Sequence, residues 1–296
     1  MPDPFSLPSF AKINLLLRVL GRRDDGFHEL FTVFQTVSLY DTITFAESHS
    51  LDLSCDNATV PVDSGNLIIK AANALNECLG QSNGARIHLE KRIPFPGGLG
   101  GGSSNGAVAL LGLTRLWNVS VERDRLSSIA AGLGSDVPFF LTGGTAVGTG
   151  RGEVIEPIDD LIGQYLLIVT PAINVSTPEA FAGLDAAALT TKAQKRILSV
   201  SRNALGSLDL SHSELKNDLE ASVFASFPEI RRVKDTLLDL GAVNVAMSGS
   251  GASVFAVFDN KETRQIAQKA LDRESTWRKF AVSTISRTEY REALGL

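Results

Sequence analysis

Five of the six residues from Gly97 to Gly102 are glycine, and Ser103, Ser104, Asn105 and an apolar run follow at once. A segment this poor in Cβ atoms can adopt left-handed dihedrals and approach another group without steric cost. Ser-Ser-Asn is good N-cap chemistry, which predicts a helix where the glycines stop, over Asn105 to Trp117. Backbone N–H groups at the head of such a helix, aimed by the positive end of its dipole, suit a phosphate. The competing reading is a flexible linker or a tight hairpin. Linkers are polar on both sides, whereas this loop runs straight into an apolar helix.

Two familiar phosphate loops are excluded. The chain has no Gly-Lys dipeptide, so the P-loop pattern is absent. The G-x-G-x-x-G fingerprint of dinucleotide binders also fails, because the sixth position is Ser103 counted from Gly98 and Asn105 counted from Gly100. A phosphate loop of a third type remains.

The remainder of the chain narrows the partners. Its 296 residues can build one large or two medium domains. A net charge of −5 argues against nucleic acid as a partner, while leaving room for a small anionic ligand held locally. Cys55 and Cys78 match no metal or redox spacing and read as reduced thiols, and His28, His49, His88 and His212 are scattered, so no metal-ligating residue is expected. No signal-peptide pattern opens the chain, and no apolar run approaches the roughly 20 residues needed to span a bilayer. The expectation is a cytoplasmic protein with no membrane partner, present as a monomer or weak homodimer.

Periodicity predicts strands over Ser9–Val19, Glu29–Leu39 and Thr42–Phe45, a helix over Leu67–Leu79 and a strand over Ala85–Glu90. In the first strand Ala11, Ile13, Leu15, Leu17 and Val19 fall on one face, with Phe10, Lys12, Asn14, Leu16 and Arg18 on the other. After the glycine loop come a helix Val121–Ala131 capped by Ser120, a sharp turn Gly134–Phe140, and strands from Thr145 to Thr149 and beyond Glu153. The second half reads as a strand Tyr165–Thr170, a helix opening at Ser176-Thr177-Pro178, and a polar connection. Helices Asn217–Phe224 and Pro228–Leu240 follow, then strands Val243–Met247 and Ser253–Phe258, a helix Glu262–Asp272 and a strand Phe280–Ile285. The fold class is α+β, an antiparallel sheet packed with helices, in two domains, 1–160 and 161–296, that part between Glu156 and Gln164.

Four features can carry chemistry. Lys12 and Asn14 share one face of an apolar strand, where a lysine is costly unless it meets an anion or reaches solvent; a solvated edge strand is the alternative. Asp136, between Gly134 and Phe139-Phe140, reads either as the N-cap of a short helix or as a base that accepts a hydroxyl proton. With Lys12 it would form the base-plus-cation arrangement of phosphoryl transfer to an alcohol. His28 after Gly26-Phe27 is either a satisfied structural histidine or, with its aromatic neighbour, a reader of a base edge. Met247-Ser248-Gly249-Ser250-Gly251 is a plain glycine hairpin, or a second loop that packs on the first.

Taken together these segments resemble the GHMP kinase superfamily, which includes galactokinase and the homoserine, mevalonate and phosphomevalonate kinases. Its three motifs match in order at Ala11–Leu15, Pro94–Gly106 and Met247–Ser253. Asp25–Leu30, Ser135–Phe140 and Asn217–Glu220 are similar, further, to its branch acting on a cytidyl diphosphate methylerythritol. The resemblance implies a ribosomal-S5-like N-terminal domain and a ferredoxin-like C-terminal domain with the site between them. It implies ATP and Mg²⁺ as cofactors and phosphorylation of the methylerythritol 2-hydroxyl in the non-mevalonate isoprenoid pathway; homoserine, mevalonate or a sugar is the alternative substrate. By the same resemblance Asp136 is the base and Lys12 steadies the reacting oxygen. Pro94, Gly97, Gly98, Leu99, Gly100, Gly101, Gly102, Ser103, Ser104 and Asn105 bind ATP, and Asn14, Phe27, His28, Phe34, Thr177 and Phe181 bind the substrate. Phe27 stands where the superfamily branch commonly has Tyr, Pro96 where Gly or Ala is usual, and Gly106 where Ala is common.

Overall fold

The computed structural model describes residues 3–184, 210 and 215–296. The polar connection expected before Asn217, with His212, falls almost wholly outside them.

Two long strands, β1 (Phe5–Arg22) and β2 (His28–Ala46), pair antiparallel along nearly their whole lengths. β2 was expected as two strands broken near Tyr40, but Asp41 is buried and hydrogen-bonded, so the ladder continues through it. Around this hairpin lie β3 (Leu51–Cys55), β4 (Ala85–Glu90), β5 (Thr145–Gly150) and β6 (Val154–Pro157). The C-terminal half of β2 takes β4 as its second neighbour and the N-terminal half takes β5. β3, short and only half-buried, was not foreseen.

The second half contributes β7 (Tyr165–Pro171), β8 (Lys216–Asn217), β9 (Asn244–Met247), β10 (Val254–Phe258) and β11 (Trp277–Val282). β8 crosses back to pair in parallel with Leu16 and Leu17 of β1, so Asn217 is a strand residue and not the start of a helix. The other four form an antiparallel sheet in the order β11-β7-β10-β9. Numbered within that sheet this is 4-1-3-2, the ferredoxin-like split βαβ arrangement. β11 lies three residues earlier than periodicity suggested, because Trp277 is buried against the second sheet's helical layer.

Eight helices accompany the strands among the described residues: α1 (Leu67–Leu79), α2 (Gly101–Leu116), α3 (Arg123–Leu133), α4 (Thr177–Ala182), α5 (Glu220–Ser226), α6 (Pro228–Asp239), α7 (Lys261–Ala270) and α8 (Arg287–Leu294). None is long and apolar enough to cross a membrane. α1 and β4 match expectation to the residue. α3 begins two residues late, with Glu122 rather than Ser120 at its N-cap. α8 was missed, although Ser286 and Glu289 form a capping box and Tyr290 and Leu294 stand four apart on its buried face.

α2 departs most instructively. It starts inside the glycine run, four residues before the expected Asn105, with Gly100 in a left-handed N-cap. Helical glycine costs about 1 kcal/mol relative to alanine, and close packing offsets it. A Cβ on Gly112 would stand 2.3 Å from Cζ of Phe45, so only glycine lets the helix lie this close to β2.

Three buried clusters hold the molecule together. The first packs α1, α2, α3 and α8 on one face of the first sheet, and the second packs α6 and α7 on the other sheet. In the third, Ile13, Leu15, Phe31 and Val33 of the first sheet meet Leu166, Ile168, Phe255 and Val257 of the second. Alternation along β1 holds from Ala11 to Leu15. A register shift between Asn14 and Leu16 then reverses it, so Leu17 joins Lys12 and Asn14 on the cavity face, contrary to the simple two-residue period.

Gly112→Ala is expected to lower stability by about 1–3 kcal/mol through overpacking against Phe45. The reading is a lower urea midpoint at unchanged m-value. A midpoint equal to the parent's would mean that the Phe45 ring can move aside.

Candidate active site

A cavity of about 690 Å³ opens between the glycine loop, the middle of the β1–β2 hairpin, the Gly134–Val137 turn, α4 and the Ser248–Gly251 turn. At its floor the Lys12 side chain is 3% exposed. Its ammonium donates to Asn14 Oδ1 at 2.7 Å and to the Gly98 carbonyl at 3.2 Å, and faces Asp136 Oδ2 at 3.2 Å. The solvated edge strand is therefore not what forms: at Lys12, β1 pairs with β2 on one side and the Lys12 amide donates to the Leu99 carbonyl on the other, and the lysine is buried with three acceptors. Asn14 is itself held, its Nδ2 donating to Thr32 Oγ1 at 2.7 Å while that hydroxyl donates to the Leu16 carbonyl at 2.7 Å.

Asp136 does not cap a helix. The following 3₁₀ turn, Pro138–Leu141, takes Val137 as its N-cap with no side-chain cap bond. Val137, Phe139 and Phe140 are fully buried and pin the turn from beneath. The Asp136 side chain is left 32% exposed, in contact with Lys12 and open to the cavity. The buried Tyr290 of α8 donates to the Phe140 carbonyl and supports this turn from the far end of the chain.

The glycine loop divides its polar groups by direction. Its carbonyls turn toward protein: Gly97 O accepts from Ser253 N at 3.2 Å, Gly98 O from Ser248 Oγ at 3.0 Å, and Leu99 O from Lys12 N at 3.0 Å. The amides of Gly97 through Ser103 have no protein acceptor among the described residues. The head of α2 thus presents a set of unspent donors with the helix dipole behind them. Gly98 has φ +70°, and a Cβ there would lie 2.2 Å from the Ser248 carbonyl. The second glycine turn does pack on the first, as the sequence suggested.

Asn217 and Glu220 clamp that second turn. Asn217 Nδ2 donates to the carbonyls of Met247 at 2.8 Å and Gly249 at 2.7 Å, and Glu220 Oε1 accepts from Met247 N at 2.8 Å.

Of the residues expected to bind nucleotide, Pro94 and Gly97 through Ser103 line the cavity, and Ser104 and Asn105 do not. With α2 starting at Gly101, these two sit a turn inside it and face the sheet. Ser9 Oγ donates to Ser104 Oγ at 2.8 Å, and Asn105 Nδ2 donates to Ser9 Oγ at 2.9 Å and to Asp41 Oδ2 at 3.0 Å. Asp41 and Lys91, an ion pair buried beneath this loop, escaped the sequence reading. Asp41 lies in the gap between the strands expected over Glu29–Leu39 and Thr42–Phe45, and nothing local marks it as buried.

The far end of the cavity is aromatic. The His28 and Phe181 rings stack with centroids 4.8 Å apart. Phe27 is exposed, and the Arg151 guanidinium lies 4.9 Å from its ring centre. Phe34 is buried behind Lys12, its ring centre 5.6 Å from the ammonium, so it forms wall rather than rim. Thr177, at the head of α4, reaches to 3.4 Å from Ser250 Oγ. Burial lowers the His28 pKa, assisted by the nearby Arg22 charge, which favours the neutral imidazole with one donor and one acceptor nitrogen.

Comparison with known proteins adds to this geometry. Residues 66–144 match the model of the GHMP kinases N terminal domain, and residues 197–275 that of the GHMP kinases C terminal domain. The chain is similar to the 4-diphosphocytidyl-2-C-methyl-D-erythritol kinase of Chlorobium phaeobacteroides, 39% identical over 267 residues and 88% of each chain. A crystal structure of 4-(cytidine 5'-diphospho)-2C-methyl-D-erythritol kinase superposes with a TM-score of 0.74 at 34% identity, covering 95% of this chain and 99% of that one. Homoserine kinase from Cytophaga hutchinsonii shares the fold, with a TM-score of 0.71 at 20% identity over 97% of this chain and 96% of its own.

The pKa of His28 gives a direct check on the packing. Its folded value lies below the ordinary 6.5, so between the two values the unfolded chain binds more protons. His28 therefore favours unfolding as the pH falls through that window and has no such effect above it. In an NMR titration the His28 midpoint is expected below 6.5 and should move back toward 6.5 in Phe181→Ala. A parent midpoint at or above 6.5 contradicts the half-buried, stacked ring.

Proposed function

This chain belongs to the GHMP kinases, within them to the 4-diphosphocytidyl-2-C-methyl-D-erythritol kinase family, and on that premise we propose how its residues carry out the family's reaction. The reaction is transfer of the γ-phosphoryl group of ATP to the 2-hydroxyl of 4-diphosphocytidyl-2-C-methyl-D-erythritol, giving the 2-phosphate and ADP. The observation that carries the assignment of roles is the Lys12–Asp136 contact of 3.2 Å at the foot of a loop whose amides are unspent.

Asp136 accepts the proton of the attacking hydroxyl, for which its exposure to the cavity and its fixed turn suit it. Lys12 holds the reacting oxygens with a charge fixed in advance by Asn14 and Gly98, so little reorganisation accompanies the transfer. The amides from Gly97 to Ser103 bind the donor's phosphates at the head of α2. At the other end His28 reads the cytosine edge, with Phe27 and Phe181 offering stacking faces, while Asn14 and Thr177 contact the polyol and diphosphate. In this reading Phe34 supports Lys12 and forms the wall of the substrate pocket.

Magnesium is part of the same proposal. Among the described residues no group of three or more His, Cys, Asp or Glu could hold a metal, and Asp136 is the one acidic side chain lining the cavity. That donor set fits an ion held mainly by phosphate oxygens, as Mg²⁺ often is, and Asp136 and Ser103, which both line the cavity, would be its protein ligands. When bound, it neutralises charge on the phosphates. A division into a nucleotide-binding part, 1–160, and a second domain, 161–296, is supported by the change of sheet between β6 and β7, although β8 and α8 return to the first sheet.

Asp136→Asn is expected to lower kcat by about 10²–10⁴ with little change in either KM. Unchanged turnover rejects Asp136 as the base. His28→Ala should raise the KM for the cytidyl substrate about tenfold, the worth of one good contact, and leave that for ATP near the parent value. The substrate itself is tested by coupled ADP release with the cytidyl compound set against mevalonate, homoserine and galactose. Faster release with any of the last three overturns the reading.

A further inference from the structure

We propose that Asp41 is a positioning residue for the phosphate loop: its buried carboxylate joins the two stems of the loop and so sets the spacing of the amides that meet the donor's phosphates. The proposal rests on the reading of that loop as the phosphate cradle.

Asp41 stands on β2 opposite Ser9 of β1, fully buried, and does not line the cavity. Its carboxylate takes four donors. Oδ1 accepts from the backbone amides of Arg92 at 2.7 Å and Ile93 at 2.8 Å, the last residues before the loop. Oδ2 accepts from the Lys91 ammonium and, at 3.0 Å, from Asn105 Nδ2 in α2. A single side chain therefore grips the entering and leaving stems together. Between those stems Gly97, Gly98 and Leu99 make their polar contacts through their carbonyls, to Lys12, Ser248 and Ser253. Those bonds set how deep the loop lies, whereas Asp41 sets its span.

The charges fit this role. A Cβ on Gly101 would lie 2.9 Å from the Lys91 ammonium, so that cation sits beneath the first residue of α2. A lone cation there opposes the helix dipole, and a lone carboxylate there repels a phosphate. Paired, they are neutral overall and act on shape rather than on field. A buried ion pair adds little to stability for its cost, and fixing a local register is the best attested use of one.

Two variants test the proposal, each assayed below its own melting temperature. Asp41→Asn presents a neutral amide to four donors. Asn105→Ala removes the link from Asp41 to α2, together with the Asn105–Ser9 bond, and keeps the ion pair. Binding of a non-hydrolysable ATP analogue is followed by calorimetry, alongside the KM for ATP and for the cytidyl substrate. Asp41→Asn is expected to weaken the analogue and raise the KM for ATP by about tenfold, and Asn105→Ala by about threefold, with the cytidyl KM within about twofold of the parent. A lower melting temperature with unchanged analogue affinity would show a purely structural pair and overturn the proposal, as would an equal rise in both KM values. If Asp41→Asn fails to fold, Asn105→Ala decides, and unchanged analogue affinity there is again fatal. A parent chain that does not bind the analogue loses the cradle reading first and the proposal with it. A parent that binds, with variants that bind equally well, loses the proposal alone.

Discussion

An ammonium group that is removed from water must be surrounded by acceptors, and at Lys12 each acceptor belongs to a different part of the chain. Asn14 lies on the same strand, Gly98 on the glycine loop, and Asp136 on the turn after α3. The Lys12 backbone amide adds a bond to Leu99. An unpaired buried charge costs several kcal/mol. The fold therefore gains its compact form at this point only if the hairpin, the loop and the turn arrive together. The constraint that satisfies the lysine also assembles the cation, the carboxylate and the amide cradle around one cavity.

The remaining architecture supports that meeting point from behind. The third cluster joins the two sheets through the face of β1 opposite Lys12, so the strand carrying the lysine is packed on one side and lines the cavity on the other. Asn217 and Glu220 hold the Ser248–Gly251 turn, which in turn seats Gly98. α8 returns from the end of the chain to place Tyr290 under the Asp136 turn. Rigid support of this kind matters because preorganised groups act on a transition state without moving.

Much of this was legible from local pattern. α1 has strict helical spacing between good boundaries, and both its ends were read correctly. The order of the motifs and the pairing of Lys12 with Asp136 were also legible, since each motif depends on residue type at short spacing. Errors gathered where tertiary contact overrides local preference. The start of α2 was misjudged because glycine disfavours a helix unless another group packs closely against it, as Ile93 and Phe45 do here. The reversal of β1 after Asn14 needs its partner strand to define the bulge. The Ser286–Glu289 capping box was a readable signal that went unused.

Residue chemistry and spacing alone determined that this chain carries a glycine-rich loop leading into a helix, a lysine that needs an anion, and a carboxylate in a tight turn. Those properties are covalent or local, so they survive without coordinates. Tertiary structure decided the rest: which loop groups face protein and which face the cavity, that Ser104 and Asn105 serve the framework, and that Asp41 and Lys91 pair beneath it. Burial is a property of the whole packed molecule, and whether a polar group is spent or free follows from its partners across the fold rather than from its neighbours in sequence.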